Sequence, residues 1–237
     1  YARVSKADGS RDTDIPVPDA AFSTTCSPDG LFVYTKPDDD LATEGTYWFA
    51  SASPAAMLRK TKGRVIDWSA DSKHALRADS EGYAIDDLVT GRVICRYDCQ
   101  TAFLSGRFSN DGHRAAVSGV SPHPATGFVH FCAVFDTGSG KVHWETDVGQ
   151  QIAAIAWNDE DTLLATVDGF GQIKVLAENS GQPARIMQDP GGAASEHSFM
   201  NMPAIDFTLD GFLVSMGLRH IVSLWDAASG RMMATQV

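Results

Sequence analysis

Four carboxylates lie close together in one short segment of the sequence and could bind a metal ion. Asp38, Asp39, Asp40 and Glu44 lie within the stretch KPDDDLATEG, and carboxylate oxygens are the ligands that Ca²⁺ prefers. Calcium needs about six to eight oxygens, and known calcium loops space them around a central glycine that this stretch lacks. We therefore predict a solvated acidic loop that is a candidate contact for a partner protein, without a bound metal.

Cys95 and Cys99 are the only cysteines close enough in sequence to suggest a metal pair. Their segment VICRYDC alternates like a strand, in which four residues span about 13 Å and the two thiols cannot converge on one ion. With four cysteines in 237 residues, we expect free thiols that pack as small apolar groups. Such usage fits a reducing compartment, so we expect an intracellular, cytoplasmic protein.

The sequence contains no catalytic constellation. Its seven histidines are scattered, and it has no nucleophile elbow, phosphate-binding glycine loop or helical histidine pair. A formal charge of -11 would repel nucleic acid, and no apolar run approaches the roughly 20 residues of a membrane-spanning helix. We predict a protein without enzymatic activity or a cofactor, whose partners are other proteins and which has no membrane span.

A turn motif that recurs five times indicates which elements carry these side chains. It begins at positions 40 to 50 residues apart, which are Ser27, Ser69, Ser109, Asn158 and Thr208. Aspartate follows in every copy, often with glycine, and residues of this kind favour tight turns. Apolar residues alternate before and after the turn, as in TLLATVD, so each turn joins two strands, a and b.

A second marker joins two further strands, c and d. It is an aspartate four residues before a glycine, in DLVTG, DTGSG and DAASG. Each repeat therefore holds four short antiparallel strands, and a repeated four-stranded unit of about 40 residues is typical of a β-propeller blade. The fold class that we predict is all-β.

The repeats resemble those of the WD-repeat family. In HIVSLWDAASGRMM the pair Trp225-Asp226 ends strand c, and Asp168 stands at the b-to-c turn of the preceding repeat. The resemblance implies a propeller of four-stranded blades that acts as a protein-interaction scaffold, as a subunit or domain of a larger assembly.

The repeat spacing also predicts the blade boundaries. We expect five complete blades plus the outer half of another, in a chain that is part of a larger ring. The half blade is 1–17, and the complete blades are 18–62, 63–100, 101–148, 149–190 and 200–237.

Three insertions suggest where a partner binds. KPDDDLATEG (36–45) and VSPHPATG (120–127) fall between strands b and c, and DPGGAASEHSF (189–199) falls between d and a. In a meander these connections share one side, and uneven loops on one side of a scaffold form binding surfaces, although loops also accept added length without a function. The candidate partner-binding residues are Asp38, Asp39, Asp40, Glu44, His123, Glu196 and His197.

The segment AVFDTGSGKVHW supports an alternative. It resembles the repeat of quinoprotein dehydrogenase propellers, in which Asp136, Gly140 and Trp144 would match the motif and the tryptophan would dock one blade on the next. Other repeats place Cys95, Arg185 and Ala234 at the position of Trp144. The alternative function is a propeller domain of an enzyme, a quinoprotein-like dehydrogenase or a hydrolase, whose catalytic part lies outside this chain.

Overall fold

A computed structural model describes most of the chain. The described residues are 2–5, 12–15, 23–36, 40, 42–49, 56–99, 105–123, 125, 127–190, 203–217 and 221–236. They form strands joined by turns, and none of them belongs to a helix that could cross a membrane. Contacts divide the chain into two compact units, residues 1–98 with 137–140 and residues 99–136 with 141–237.

The first unit contains a two-stranded and two four-stranded antiparallel sheets. Strands β1 (Ala2–Ser5) and β2 (Asp12–Ile15) pair with each other. The first sheet consists of β3 (Ser23–Cys26), β4 (Phe32–Lys36), β5 (Glu44–Phe49) and β6 (Ala56–Lys62). The second sheet consists of β7 (Arg64–Trp68), β8 (His74–Asp79), β9 (Gly82–Asp87) and β10 (Val93–Asp98).

The second unit contains three four-stranded sheets with the same order of strands. The third sheet consists of β11 (Gly106–Phe108), β12 (Arg114–His123), β13 (Gly127–Asp136) and β14 (Val142–Asp147). The fourth consists of β15 (Ile152–Trp157), β16 (Leu163–Asp168), β17 (Gln172–Ala177) and β18 (Pro183–Gln188). The fifth consists of β19 (Ala204–Phe207), β20 (Phe212–Met216), β21 (Val222–Asp226) and β22 (Arg231–Gln236).

These five meanders confirm the all-β prediction of four-stranded antiparallel sheets. One detail differs, because 120–127 is not a loop. Strand β12 continues to His123 and pairs with β13 from Gly127 onward, so the insertion lengthens a hairpin. The ring size and the blade boundaries stay predictions.

The recurring a-to-b turn is closed by its own side chains. Ser109 Oγ donates to Asp111 Oδ1 at 2.6 Å and accepts from the Arg114 amide at 3.0 Å. Gly112 follows with φ +73°, a left-handed conformation that glycine adopts without steric cost. The same hydroxyl-to-carboxylate bond occurs at Ser27, Ser69 and Thr208. The motif is therefore structural, as its composition predicts.

Two of these turns have a non-glycine residue in the left-handed conformation. Ser72 has φ +59° and Asp161 has φ +55°. Both side chains reach the turn of the preceding sheet: Ser72 Oγ accepts from the Asp29 amide at 3.1 Å. The Asp161 carboxylate accepts from the Asn110 and Asp111 amides at 2.8 and 2.9 Å. The side chain links adjacent sheets, which a glycine could not do.

Neighbouring sheets in each unit pack through apolar side chains. In the first unit, Tyr34 and Tyr47 pack with Val65 and Trp68, and the Tyr47 and Trp68 rings meet edge to face at 6.1 Å. In the second unit, Trp157 and Trp225 lie in the two clusters that join the third to the fourth and the fourth to the fifth sheet. Burial of such large aromatic rings stabilises the stack of sheets.

A residue in strand d also docks each of three sheets on the c-to-d turn of the next. The Trp144 indole nitrogen donates to the Glu178 carbonyl, Arg59 Nη1 donates to the Gly91 carbonyl at 2.6 Å, and Arg185 Nε donates to the Ala228 carbonyl at 2.8 Å. A register shift precedes each docking residue, and such bulges re-aim side chains. The predicted docking role of Trp144 is confirmed, and arginine fills the same role elsewhere.

Candidate protein-interaction surface

Among the described residues, the longest hairpin is β12–β13 of the second unit. Strand β11 (Gly106–Phe108) pairs with β12 as far as Val117, and β14 pairs with β13 from Phe131. We call residues 119–123 and 127–130, which pair with each other beyond these strands, the projecting hairpin, and at its base the His130 carbonyl still accepts from the Val148 amide at 2.9 Å. The hairpin projects from the b-to-c and d-to-a side of the unit, which we call the inserted-loop side.

Two large aromatic side chains are exposed on this side. Phe128, in the projecting hairpin, is 56% exposed and meets the His130 ring edge to face at 5.5 Å. Phe170, in the turn between β16 and β17, is 45% exposed. The Asp168 carboxylate holds that turn by accepting from the Phe170 and Gln172 amides at 2.9 and 2.8 Å. Asp168 therefore stands at the b-to-c turn, as the sequence predicts, and it positions an exposed ring.

A small, shallow cleft lies between the third and fourth sheets on this side. It is lined by Ser118, Gly119, Val120, His130, Gln151 and Ile152. His130 contacts the Phe128 ring, and the Gln151 carbonyl accepts from the Gly169 amide, next to Phe170, at 3.4 Å. The cleft residues are thus linked to Phe128 through His130 and to the turn of Phe170 through Gln151, and we call the two rings with the cleft residues the aromatic patch.

Charged side chains also stand at the connections on the inserted-loop side. Asp147 is exposed at the end of β14, where Oδ1 accepts from the Gly149 amide at 2.7 Å. Asp168, at the b-to-c turn of the fourth sheet, and Asp189, after β18, are buried. Lys174 is the one lysine on β17, and its ammonium group donates to the Val148 carbonyl.

Asp189 begins the predicted d-to-a insertion and is anchored in the fold. Its carboxylate accepts from Ser215 Oγ, which in turn accepts from the Trp225 indole nitrogen at 2.9 Å. The Asp189 amide donates to the Gly171 carbonyl at 2.8 Å. The network fixes the first residue of the insertion against the fifth sheet. Residues 191–199 of the insertion, with Glu196 and His197, lie outside the described residues.

A buried lysine anchors the backbone of the acidic segment in the first unit. Lys36 is fully buried, and its ammonium group donates to the carbonyls of Asp40 and Thr43 at 2.6 and 3.1 Å. Asp40 and Glu44 are both exposed. Asp40 lies in the connection between β4 and β5, and Glu44 is the first residue of β5. Asp38 and Asp39 lie outside the described residues.

His123 is exposed at the end of the projecting hairpin, where Nδ1 accepts from the Ala125 amide at 3.3 Å. It belongs to the second unit, whereas Asp40 and Glu44 belong to the first. Partner contacts by any of the candidate residues stay a prediction.

Phe128 and Phe170 were missed by the sequence reasoning. Phe170 could have been found as an aromatic residue inside the turn DGFGQ, where an apolar side chain has no core to enter. Phe128 alternates with His130 in GFVHF, but only the hairpin extension shows that it lies beyond the adjacent strands.

The cysteines and other potential metal ligands do not converge in the part of the chain that the structure describes. All four cysteines have free thiols, and burial raises the pKa of the Cys132 thiol far above its ordinary value. Within the described ranges, no group of three histidine, cysteine, aspartate or glutamate side chains could hold a metal ion.

Comparison with known proteins supports the fold. No protein-family model matches the sequence, and no curated protein matches it. Among solved structures, the chain is similar to the C-terminal WD40 domain of Sif2, with a TM-score of 0.66 and 15% sequence identity. The match covers 95% of this chain and 61% of that one, so the chain spans less than two thirds of the domain it resembles. The chain has the fold of a WD40 β-propeller.

Proposed function

We propose that this chain is a protein-interaction scaffold that binds its partner through the aromatic patch of the second unit. The observation that supports the proposal is the exposure of Phe128 and Phe170 at the b-to-c connections of two neighbouring sheets, on the same side of the unit. Single exposed apolar residues are common, whereas exposed aromatic rings on one side of a scaffold are typical of an interaction site.

Exposed aromatic rings on an ordered backbone are energetically suited to binding a partner protein. Aromatic residues dominate binding energy when a partner removes them from water, and a few such anchors supply most of the affinity. The backbone around both rings is held by hydrogen bonds, through the β12–β13 ladder and the Asp168 carboxylate. A preformed surface loses little conformational entropy on binding.

The scaffold acts without catalysis, as a subunit or domain of a larger assembly. The docking residues Trp144, Arg59 and Arg185 pack neighbouring sheets together, and of these three sheets one uses the tryptophan of the quinoprotein motif while two use arginine. Free thiols are typical of a reducing compartment, and we place the protein in the cytoplasm.

Affinity capture with full-length protein tests this function. We expect Phe128→Ser and Phe170→Ser each to remove specific partners while the unfolding free energy stays unchanged. The matched control is Leu209→Ser, because Leu209 is 91% exposed in the a-to-b turn of the fifth sheet, at the other end of the strands. Partners that are retained by both phenylalanine variants would refute the proposed surface.

A further inference from the structure

We propose that strand β6 is a second interaction surface, which binds an acidic, extended segment of a partner protein as an additional antiparallel strand of the first sheet. Strand β6 is the outer strand of that sheet, and among the described residues it pairs with β5 alone. An unpaired edge is a template for another strand. This surface lies in the first unit and does not depend on the aromatic patch.

Three exposed side chains of β6 lie in a row on one face of the sheet. Lys60 and Lys62 are two residues apart, and a register shift before Arg59 inserts one extra residue, Leu58, so that Met57 keeps to the same face. Both lysines are exposed, and Met57 and Leu58 are 57% and 43% exposed. The edge therefore presents an apolar side chain and two ammonium groups, on residues about 7 Å apart along the strand.

The backbone groups of both lysines face the outer edge. The Gly63 amide donates to the Thr43 carbonyl at 3.4 Å, so every second residue before Gly63 directs its amide and carbonyl toward β5. The residues between them, Lys62 and Lys60, direct theirs away from β5. The Arg77 guanidinium donates to the Lys62 carbonyl at 2.6 Å. An added strand could therefore pair with the amide and carbonyl of Lys60 and with the amide of Lys62.

Positive charge is concentrated on this edge in a chain whose formal charge is -11. Strand β6 has one arginine, two lysines and no carboxylate, whereas β10, β14, β18 and β22, the other strands d, each have one arginine or none and no lysine. Salt limits the reach of surface charges to about 8 Å, so the charges of the edge itself decide what binds there. Edge lysines discourage pairing with apolar or basic strands, which leaves an acidic strand as the favoured occupant.

Two arginines hold the edge in place before a partner binds. Arg59 Nη1 donates to the Gly91 carbonyl at 2.6 Å, and Nη2 lies 3.0 Å from the Asp86 carboxylate, which fixes β6 against the second sheet. Arg77 fixes the end of the strand through the Lys62 carbonyl. An edge that is already ordered loses little conformational entropy on binding.

Glu44 makes the two lysines unequal. It is exposed and lies opposite Lys62 in the register, whereas the uncharged Thr46 lies opposite Lys60. The Glu44 carboxylate therefore competes with an acidic partner for Lys62, and Lys60 should contribute more to binding. Removal of the Glu44 charge should strengthen binding, which is the opposite of the result expected if Glu44 itself contacted the partner.

Fluorescence anisotropy with the full chain and labelled peptides tests the proposal. The probe has the core glutamate, threonine, glutamate, threonine, valine, which in an antiparallel pair places its carboxylates opposite Lys62 and Lys60 and its valine near Met57. A matched peptide replaces both glutamates by lysine. We expect the probe to bind and the lysine peptide not to bind.

Two N-methylated peptides test whether the segment pairs as a strand. One carries the methyl group on the amide of the glutamate opposite Lys60, and the other carries it on the threonine that follows. The first should weaken binding about fivefold, because it removes a hydrogen bond to the edge. The second should leave binding unchanged, since that amide points away from β6.

Variants locate the binding site. Lys60→Glu should weaken binding of the probe at least about fivefold and Lys62→Glu about twofold to threefold, whereas Glu44→Gln should strengthen it about twofold. Lys73→Glu is the matched control, because Lys73 is exposed in the a-to-b turn of the second sheet, and it should leave binding unchanged. These side chains are all exposed, so urea denaturation should show the same unfolding free energy for each variant.

Several outcomes would overturn the inference. It is wrong if the probe does not bind, if the lysine peptide binds equally, if both N-methylated peptides bind as the probe does, or if Lys60→Glu has no effect. It is also wrong if a single-stranded oligonucleotide or a phosphatidylserine vesicle binds through Lys60 while the probe does not. We expect Phe128→Ser to leave the probe bound, and loss of the probe in that variant would place its site away from β6.

Discussion

The indole of Trp144 covers Gly181 of the next sheet so closely that a Cβ atom on the glycine would lie 2.5 Å from Cε3 of the ring. The same indole donates its N–H to the Glu178 carbonyl. Strand d of the third sheet and the c-to-d turn of the fourth thus form one joint, which depends on a large residue on one side and on no side chain on the other.

Truncation of Trp144 should therefore weaken the second unit. We expect Trp144→Ala to lower the free energy of unfolding by about 3 kcal/mol or more, because it removes a buried ring and leaves a cavity. Trp144→Phe should cost less, since it keeps most of the ring and loses only the indole donor. Urea denaturation measures both, and an unchanged free energy for Trp144→Ala would mean that the joint contributes nothing.

Gly181→Ala tests the other side of the joint. Gly181 has φ +65°, so a Cβ brings backbone strain as well as the clash with Trp144. We expect the substitution to destabilise the native protein more than it destabilises the Trp144→Ala variant, where only the backbone strain remains. A double-mutant cycle gives this difference, and purely additive effects would show that ring and glycine are not coupled.

Asp161 should stabilise the protein more than a glycine at the same position, although its left-handed backbone conformation favours glycine. Asp161→Ala removes the bonds to the Asn110 and Asp111 amides and keeps the strain, so we expect a loss of about 2 kcal/mol. Asp161→Gly should cost less because it relieves the strain. Unfolding free energies of both variants decide the order, and Asp159→Ala, in the same turn, is the control. An Asp161→Gly variant that is more stable than the native protein would contradict the role of Asp161 in linking the two sheets.

Asp79 should make the first unit sensitive to acid. Burial raises the pKa of this carboxyl, but hydrogen bonds from Arg96, from the Glu81 amide and from Arg77 outweigh it and lower the pKa to about 2. Because the unfolded value is about 3.9, the folded carboxyl binds its proton less readily. The stability it contributes is present above about pH 4 and is lost as the pH falls toward 2.

Substitution isolates this contribution. We expect Asp79→Asn to flatten the dependence of unfolding free energy on pH between about 4 and 2. Urea titrations across that range measure the slope. An equal slope in the native protein and the variant would show that other carboxyls dominate the acid response.

The sequence predicts the strands and their turns because both depend on local chemistry. Ser109, Asp111 and Gly112 close their turn with their own atoms, so their types are sufficient evidence. Asp161 and Ser72 are different, since the strain of their left-handed conformation is offset by hydrogen bonds to another sheet. The only local sign was the absence of glycine from those two turns.

The candidate surface was less predictable than the fold. The stretch VSPHPATG has the composition of a loop, yet Pro122 pairs with Phe128 in the projecting hairpin, and proline is tolerated at the edge of a sheet. The aromatic patch combines residues from the third and fourth sheets. No pattern within one repeat can indicate a surface that two repeats form together.

Hydrogen exchange on the captured complex is the most direct test of the central claim. We predict that the partner slows amide exchange in 119–123, 127–130 and 169–171, the backbone around the aromatic patch. Protection confined to the a-to-b turns at 109–113, 158–162 and 208–211, with no change around the patch, would contradict it.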